Sequence, residues 1–405
     1  MFVQFVFLIF KLYKMVPRHI QKEILQLAKE FPVVALLGPR QSGKTTLSKM
    51  LFPDYVYVSL EDPDNRDRAK TDPRGFFNTY NQHVIIDEIQ YVPELFSYIQ
   101  GLVDEAFIPA RFIITGSQNY LMSEKISQSL AGRVGIATIL PFSLRELSAF
   151  FSNEKPTTDQ IMLNGSYPPV FDRNIRPDSF YATYFSTYLE RDVRMLSNIS
   201  DFGRFNTFTR LLAGRTGQLL NKNELSVEAG ISHNTVESWI SVLEAAYVVF
   251  RLRPWFKNFN KRLVKQPKLY FYDTGLVCYL LGLRNAMSLS SHYYRGHLFE
   301  NLIISDIVKE NQNSGNRYGV WFWRDNHKKE IDLIIDRGQR AQAIEIKSGD
   351  TFRAEFLGAL LYWRALTGAP KKDLYLVYSG EKTMEYMGVR VLNHHQLPLL
   401  FEPSP

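Results

Sequence analysis

Apolar residues recur along the first part of the chain in one helical pattern and in several unbroken runs. In PRHIQKEILQLAKEF, at 17–31, Ile20, Ile24, Leu27 and Phe31 fall on one side of a helix, which predicts an amphipathic α-helix. The unbroken runs are VVALLG (33–38), YVYVSL (55–60), HVIIDEI (83–89) and RFIITGS (111–117). Such runs are typical of a parallel sheet that helices cover on both faces. We therefore expect an α/β domain over about residues 17–150.

The pattern changes twice further along the chain. It loosens at 150–175 and is mostly helical over 176–290. The later segments predict a helix at 295–311, strands at 319–324, 330–336 and 341–347, a helix at 352–366 and a strand at 373–378. We predict five regions: an apolar N-terminal segment (1–16), the first α/β core (17–150), a helical lid or linker (151–217), a winged helix-turn-helix-like region (218–290) and a second α/β unit (291–405).

Composition narrows the class of protein. A chain of 405 residues exceeds what one hydrophobic core usually fills, and 45% hydrophobic with 22% charged residues is ordinary for a globular protein. The net charge of +7 favours polyanionic partners such as DNA, but a basic protein without such a partner fits it equally well. A single cysteine, Cys278, excludes an intramolecular disulfide and a cysteine-based zinc site and fits a reducing, cytoplasmic setting.

The N-terminal segment MFVQFVFLIF is apolar and is followed by Lys11 and Lys14. Ten residues are too few to span a bilayer, and a signal peptide has its positive charge before the apolar run. Because Met15 offers a second start, we expect either a mis-called initiation codon or a loosely packed segment. We expect no membrane partner.

The sequence GPRQSGKT at 38–45 matches G-x-x-x-x-G-K-[ST] between a predicted strand and a predicted helix. Gly38 and Gly43 let backbone N–H groups face phosphates, Lys44 places a positive charge against the β- and γ-phosphates, and the Thr45 hydroxyl is a ligand for Mg²⁺. A chance glycine-rich turn is the alternative, and the strand–loop–helix context argues against it. We expect ATP and Mg²⁺ at a loop made of Gly38, Pro39, Arg40, Gln41, Ser42, Gly43, Lys44, Thr45 and Thr46.

Two carboxylates end the apolar strand HVIIDEI. A carboxylate at the tip of a buried strand beside a P-loop can hold the Mg²⁺ water shell, and the next one can activate the attacking water. We assign Asp87 to the metal and Glu88 to the base. The alternative is an acidic pair that caps a strand.

Three further residues are candidates for positioning charge or water. Ser117 and Asn119 follow the strand RFIITGS, at the edge where ligands bind in doubly wound sheets, and either could orient the water or simply form a turn. Arg133 could supply charge in the transition state, within its own subunit or to a neighbour, or could form a structural salt bridge.

Together the segments GPRQSGKTT, VIIDEIQ, ITGSQNYLM, LAGRV and LPFSLREL resemble the AAA-type ATPases of bacteria and archaea that carry a C-terminal domain of unknown function. The resemblance extends from about residue 17 over nearly the whole chain. It implies an AAA-like P-loop core in which Lys44, Thr45, Asp87 and Glu88 have the roles given above, and a ring or dimer, because AAA-like sites often borrow an arginine from a neighbour. The segment YLERDV (188–193) also matches this group, without a chemical explanation.

Residues 218–253 predict a helix that ends at Gly230, a second helix with Val236, Ile240 and Leu243 toward a core, and the start of a hairpin wing. The second helix would begin with the base-contacting residues, and a basic stretch follows; these are His233, Asn234 and Thr235, then Lys257, Lys261, Arg262 and Lys265. Winged helices in ATPases also pack as internal lids, and Glu237 and Glu244 would repel phosphate. DNA contact and a lid role therefore both stay open.

The second α/β unit carries acidic residues in a suggestive order. Glu300 lies on a predicted helix, Asp332 on a strand, and Glu345 and Lys347 on one face of the next strand. This spacing is similar to that of the PD-(D/E)xK nucleases, which implies a restriction-endonuclease-like fold in which the acids hold Mg²⁺ and Lys347 helps to activate water. The alternative is an ion-pair cluster on a half-exposed sheet.

Two functions follow. The first is an ATPase coupled to DNA binding or processing, and the second is a nucleotide-controlled switch or scaffold whose inactive nuclease-like domain binds a partner. An ATPase that acts on proteins is a third alternative.

Overall fold

The computed structural model describes residues 16–117, 126, 128–151, 156–193, 201–255 and 265–401, with only the backbone for 190–193. Two sheets organise this part of the chain, one of five strands and one of eight. The predicted Asn119, Lys257, Lys261 and Arg262 lie outside the described residues, as does nearly all of the apolar N-terminal segment.

The five-stranded sheet is parallel throughout, as predicted, with strand order β2-β3-β4-β1-β5. Its strands are β1 (Val33–Leu37), β2 (Val56–Ser59), β3 (Val84–Asp87), β4 (Phe112–Gly116) and β5 (Val134–Thr138). β1, β3 and β4 are buried along their whole length, because helices cover both faces. The carboxyl ends of these strands therefore meet at one edge.

The sequence pattern missed the edge strand β5. A Cβ atom on Gly135 would lie 2.9 Å from the Leu27 Cβ, so a helix packs where an apolar side chain would normally mark the strand. That helix is α1 (Gln21–Glu30), in which Ile24 and Leu27 are buried as predicted, while Phe31 ends it and is half-buried. The other helices of this layer are α2 (Lys44–Leu51), α3 (Pro63–Thr71), α4 (Pro73–Thr79) and α5 (Leu95–Glu105), with a 3-10 turn at Ile89–Tyr91.

The middle of the chain is mostly helical, as predicted. Its helices are α6 (Leu144–Leu147), α7 (Thr158–Asn164), α8 (Pro168–Asp172), α9 (Pro177–Tyr184), α10 (Phe202–Ala213), α11 (Lys222–Ala229), α12 (His233–Ala245), α13 (Thr274–Leu280) and α14 (Ala286–Ser290). A 3-10 turn at Ser148–Phe150 follows α6, and α9 continues into a π-helix at Phe185–Val193.

The eight-stranded sheet has the order β12-β13-β11-β10-β9-β8-β6-β7 and mixes parallel with antiparallel pairs. Its strands are β6 (Val249–Pro254), β7 (Lys268–Phe271), β8 (Gly319–Arg324), β9 (Glu330–Asp336), β10 (Ala341–Lys347), β11 (Leu374–Tyr378), β12 (Met384–Tyr386) and β13 (Val389–Asn393). The helices of this part are α15 (Arg295–Asn313) and α16 (Gly358–Thr367), and 3-10 turns lie at Ala354–Leu357, Lys371–Asp373 and His394–Leu400. The short strands β12 and β13 were not predicted, and the helix predicted over 352–366 begins as a 3-10 turn.

The predicted hairpin wing is not free of the rest of the molecule. β6 pairs with β7 antiparallel, as a wing would, but it also pairs with β8 parallel and so joins the eight-stranded sheet. One hydrophobic cluster holds Val236 of α12, Ile303 of α15 and Ile344 of β10 together. The middle and C-terminal regions thus share a core, and their boundary near residue 290 stays a prediction. None of the helices in the described part of the chain combines the length and the apolar character needed to cross a bilayer.

Candidate nucleotide site and C-terminal acid cluster

The loop between β1 and α2 has the backbone of a phosphate cradle. Gly38, Gln41 and Gly43 all have positive φ, of 148°, 61° and 94°. A Cβ atom on Gly38 would lie 2.1 Å from the carbonyl oxygen of Ile139, so only glycine fits there. The loop therefore turns sharply from the buried strand into the first turn of α2, where helix N–H groups favour anions.

Lys44 is buried at the centre of this loop. Its Nζ donates to the carbonyl oxygens of Gly38 (3.0 Å) and Pro39 (2.8 Å). Burial lowers the pKa of Lys44 to about 8, although the nearby Glu88 and Asp87 act to raise it. A cation in such a position gains from any added negative charge.

Asp87, at the end of β3, is the centre of a hydrogen-bonded group. The Thr45 hydroxyl donates to Asp87 Oδ1 (3.0 Å) or Oδ2 (3.1 Å), and the Thr115 hydroxyl lies 2.5 Å from Oδ1. Tyr57, from β2, donates to Oδ2 at 2.8 Å, and burial together with this bond raises the Tyr57 pKa. The structure thus brings Thr45 and Asp87 together as the sequence predicts, and it adds Tyr57.

Glu88 has a left-handed backbone, with φ of 56° and ψ of 48°, which turns its side chain back toward β4. Its Oε2 accepts a hydrogen bond from the Ser117 hydroxyl at 3.1 Å and another from the Gln90 amide. The Glu88 N–H donates to the Thr115 hydroxyl at 3.1 Å. Ser117 therefore binds the predicted base, while Gln90 was not predicted because nothing in the sequence marks a side chain two residues beyond the carboxylate.

Arg133 lies at the wrong edge of the sheet to act on its own P-loop. It precedes β5, and its carbonyl bonds to the N–H of Val33 at the start of β1, whereas the P-loop follows the end of β1. Five strand residues separate the two edges, roughly 16 Å. Its guanidinium pairs instead with Asp104, at 2.5 and 3.0 Å. This contact fits the structural salt bridge that was the alternative for Arg133, and a role in the transition state stays a prediction.

A cavity of about 440 Å³ opens beside the P-loop and was not predicted. Gly43, Thr46 and Leu47 line one wall, and the opposite wall belongs to the middle region, with Pro168 and Asp172 of α8. The rest of its lining is Val16, Arg18, Met50, Phe142, Phe150 and Arg173. The lining mixes apolar side chains with a few charged groups, as small-molecule sites do.

The C-terminal acids converge only in part. Asp332 Oδ2 accepts the Ile346 N–H at 2.8 Å across the antiparallel pair β9–β10, and Lys347 Nζ lies 2.5 Å from Glu345 Oε1. Burial and the Glu345 charge raise the pKa of Asp332 well above its usual value, and burial raises the pKa of Glu345. Glu345 Oε2 is buried and accepts no hydrogen bond from the described residues.

Glu300, the predicted helix acid, is bound by protein groups. Its Oε1 accepts from Lys268 Nζ at 2.9 Å and from the Tyr270 hydroxyl at 2.6 Å. Lys268 is buried and also pairs with Glu330 at 2.5 Å. Burial acts to lower the pKa of Lys268, but the surrounding acidic groups raise it well above its usual value. Across the described residues, no three His, Cys, Asp or Glu side chains are arranged to hold a metal ion.

The helix-turn-helix segment exposes the residues predicted to meet bases. His233 and Asn234 are exposed at the start of α12, where Ser232 caps the helix by accepting the Thr235 N–H at 3.1 Å. Glu237 and Glu244, the predicted obstacles to phosphate, both pair with Arg251, at 2.6 and 2.5 Å. Residues 221–253 contain three Lys or Arg and four Glu, so this described segment by itself carries no excess of positive charge.

Family models match three consecutive parts of the chain. Residues 30–148 match an AAA domain, residues 155–286 a domain of unknown function (DUF8612) and residues 295–397 a domain of unknown function (DUF4143). The uncharacterized proteins Mb2031c of Mycobacterium bovis and Rv2008c of Mycobacterium tuberculosis are each 31% identical to this chain over 325 residues, which is 79% of this chain and 71% of theirs. The chain belongs to their family. It carries the AAA domain of a P-loop ATPase and a C-terminal DUF4143 domain.

Two solved structures are similar at low identity. The Walker-type ATPase paby2304 of Pyrococcus abyssi is 13% identical to this chain, with a TM-score of 0.43. The match covers 64% of this chain and 94% of the paby2304 chain. The RuvB Holliday junction branch migration motor of Thermotoga maritima is 18% identical to this chain, with a TM-score of 0.30. That match covers 58% of this chain and 90% of the RuvB chain.

The YLERDV segment (188–193) lies within residues 155–286, the part of the chain that matches DUF8612. The buried Tyr188 hydroxyl lies 3.1 Å from the carbonyl oxygen of Ala246, at the end of α12, and 3.4 Å from that of Ser117, just after β4. The segment lies in a π-helix, a rare conformation that is frequently found at functional sites. Tyr188 thus connects this segment to the ends of α12 and β4. The side chains of 190–193 lie outside the described set.

Proposed function

We propose that this protein binds ATP with Mg²⁺ at residues 38–46 and hydrolyses it. The observation that carries the proposal is the convergence of Lys44, Thr45, Asp87 and Glu88 at one edge of the parallel sheet, linked by the contacts of Thr45 and Asp87. A buried ammonium, a hydroxyl and a carboxylate are the donor set that a magnesium-bound triphosphate requires. The AAA family match supports the same function.

Each residue has a chemical task in this proposal. Thr45 and Asp87 would hold Mg²⁺, which neutralises phosphate charge when bound. Lys44 would bind the β- and γ-phosphates, and it is already aimed into the loop by the carbonyl oxygens of Gly38 and Pro39. Glu88 would accept a proton from the attacking water. Ser117 and Gln90 bind its carboxylate and so keep it in a fixed position for this role.

The cavity beside the loop would accept the adenine and ribose. Gly43 and Thr46, in the same turn that would bind the phosphates, line the cavity, and so do Phe142 and Phe150. Its volume of about 440 Å³ suits a nucleoside. Since α8 of the middle region forms one wall, nucleotide binding would contact both the AAA domain and the region that follows it.

The test is ATP binding and turnover by three variants. Lys44→Ala is expected to lose ATP binding, and Glu88→Gln is expected to bind ATP and retain it without turnover. Lys29→Ala, an exposed lysine on α1, is the matched control and should behave as the wild type. Normal turnover by Glu88→Gln would show that the base is assigned wrongly, and a wild-type protein without affinity for ATP would remove the proposal.

For the C-terminal domain we propose the nucleotide-controlled switch or scaffold over a nuclease that processes DNA. Two ion pairs support this choice, because Lys268 neutralises Glu300 and Lys347 neutralises Glu345, and both acids are ones that a metal ion would need. Mg²⁺-dependent cleavage of plasmid and single-stranded DNA by the wild type, Asp332→Ala and Lys347→Ala tests it. Cleavage that the wild type shows and both variants lose would establish the nuclease instead.

DNA remains the partner to be tested for the ATPase as a whole. A gel-shift assay at modest and at higher salt separates phosphate contacts, which predict a steep loss of binding with salt, from an ATPase that acts on proteins. A cytoplasmic setting is supported by the lone, buried Cys278. A homo-oligomer is the arrangement in which Arg133 could reach a neighbouring P-loop.

A further inference from the structure

Arg18 lies three residues before the start of α1 and is buried next to the P-loop, with 6% of its surface exposed. Each nitrogen of its guanidinium has a separate acceptor. Nε pairs with Glu146 at 3.0 Å, one terminal nitrogen donates to the carbonyl oxygen of Ser42 at 2.8 Å, and the other donates to that of Leu140 at 2.6 Å. The guanidinium also lies over the Phe142 ring, 4.9 Å from its centroid. These three polar contacts and the aromatic ring fix the orientation of the guanidinium.

The bond to Ser42 acts on the turn that would receive phosphate. The peptide between Ser42 and Gly43 is trans, so its C=O and N–H point in opposite directions. Because Arg18 holds the carbonyl, the N–H of Gly43 is directed to the opposite face of the loop. Gln41 and Gly43 both have positive φ, so this peptide lies in a sharply turning part of the loop, and Gly43 is a residue with many allowed backbone conformations.

The anchor for Arg18 is itself held from several sides. Glu146 also accepts the backbone N–H of His19 at 2.8 Å and that of Ser143 at 2.9 Å. The segment that carries Glu146 is fixed to α15 of the C-terminal domain, because the N–H of Leu144 donates to Asp306 at 2.6 Å. The Lys309 ammonium donates to the carbonyl oxygen of Phe142 at 3.2 Å.

From these contacts we infer that Arg18 is a positioning residue of the nucleotide site: it orients the Ser42–Gly43 peptide so that the Gly43 N–H can bind phosphate, and Glu146 holds it in place. The inference rests on the proposed ATP binding. It assigns to Arg18 a role that no motif marks, and it makes the P-loop depend on a segment that the C-terminal domain supports.

The test compares Arg18→Met, Arg18→Lys and the control Lys22→Ala, an exposed lysine on the nearby helix α1. Binding of ATP, ADP and adenosine is measured by displacement of a fluorescent ATP analogue, with circular dichroism as the check of folding. Arg18→Met is expected to weaken ATP and ADP about tenfold or more, since it removes hydrogen bonds from a charged donor, and to change adenosine less than about threefold. Arg18→Lys should fall between Arg18→Met and the wild type.

Four results bear on the inference. ATP affinity of Arg18→Met equal to that of Lys22→Ala overturns it, and so does an equal loss for adenosine, because Arg18 would then act through the cavity it lines. If Arg18→Met does not fold, Glu146→Gln is measured instead, because it weakens the contact that holds Arg18 but leaves Arg18 in place. A reduced ATP affinity of Glu146→Gln supports the inference, and an unchanged affinity overturns it. A wild type that binds no ATP instead removes the proposed function on which the inference depends.

Discussion

The Thr45 hydroxyl lies 3.0 Å from Asp87 Oδ1 and 3.1 Å from Asp87 Oδ2, almost equidistant from the two carboxylate oxygens. These residues are 42 positions apart in the chain, and the parallel pairing of β1, β4 and β3 brings them to the same edge. The hydroxyl of Thr45 and the carboxylate of Asp87 thus form a small group of oxygen atoms at the end of buried strands. A change in Asp87 therefore tests whether this group binds Mg²⁺.

Asp87→Asn is predicted to remove the effect of Mg²⁺ on ATP binding. The amide is almost isosteric with the carboxylate but carries no charge, so the divalent ion loses its charged protein neighbour. The dissociation constant for ATP, measured by calorimetry in Mg²⁺ and in EDTA, should differ in the wild type and be nearly equal in Asp87→Asn. A full Mg²⁺ effect in the variant would contradict the assignment of Asp87.

Gln90→Leu is predicted to lower kcat about tenfold while KM for ATP changes little. Gln90 donates to the Glu88 carboxylate and lies 3.3 Å from Ser117, so its loss leaves the base less well oriented without touching the loop that would bind phosphate. Steady-state kinetics separate the two constants. Gln26→Leu, on the exposed side of α1, is the control, and an equal rise in KM and fall in kcat would argue for a general structural effect.

The sequence was sufficient for the parts of the site that a local motif or an apolar run encodes. The P-loop, the strands β1 to β4 and the order of Asp87 and Glu88 follow from residues that are neighbours in the chain. Tyr57, Gln90 and Arg18 could not be predicted, because each acts through a contact with a residue distant in the chain or through a conformation such as the left-handed Glu88. β5 was missed because a helix occupies the space where Gly135 lacks a side chain.

The C-terminal cluster shows the same division. The alternation that places Glu345 and Lys347 together is a local property of a strand, and it predicted their contact. Lys268 comes from a strand that was assigned to the middle region, so the cation bound to Glu300 was not foreseen. Which acids share a cation depends on the order of strands in the eight-stranded sheet, and no pattern along the chain encodes that order.

Lys268→Met is predicted to destabilise the protein by about 3 kcal/mol, because it leaves the partly buried Glu300 and Glu330 without their shared, buried cation. Arg324→Met removes the other, more exposed partner of Glu330 and should cost less, about 1 kcal/mol or under. Urea unfolding measures both. If Mn²⁺ or Mg²⁺ restored the stability of Lys268→Met but not that of Arg324→Met, Glu300 and Glu330 would be able to bind a metal ion in place of the lysine.

Asp306 is predicted to make the stability of the protein fall as the pH rises toward neutrality. Burial and the neighbouring Glu310 raise its pKa from 3.8 to about 7, with Lys309 and the N–H of Leu144 opposing the shift and Glu146 of α6 adding to it. Between these two values the folded protein keeps a proton that the unfolded chain releases. The free energy of unfolding therefore decreases with pH in this interval and levels off above it.

Asp306→Asn isolates this effect, because the amide mimics the neutral carboxyl group, can still accept the N–H of Leu144 and does not titrate. Relative to the wild type, the variant should gain about 2–3 kcal/mol of stability between pH 5 and pH 8, since other titrating groups cancel in the difference. Urea unfolding of both proteins at several pH values gives the comparison. A difference that stays constant over this range would mean that Asp306 is charged in the folded protein, so that α15 would hold the segment behind the P-loop by a buried ionic contact.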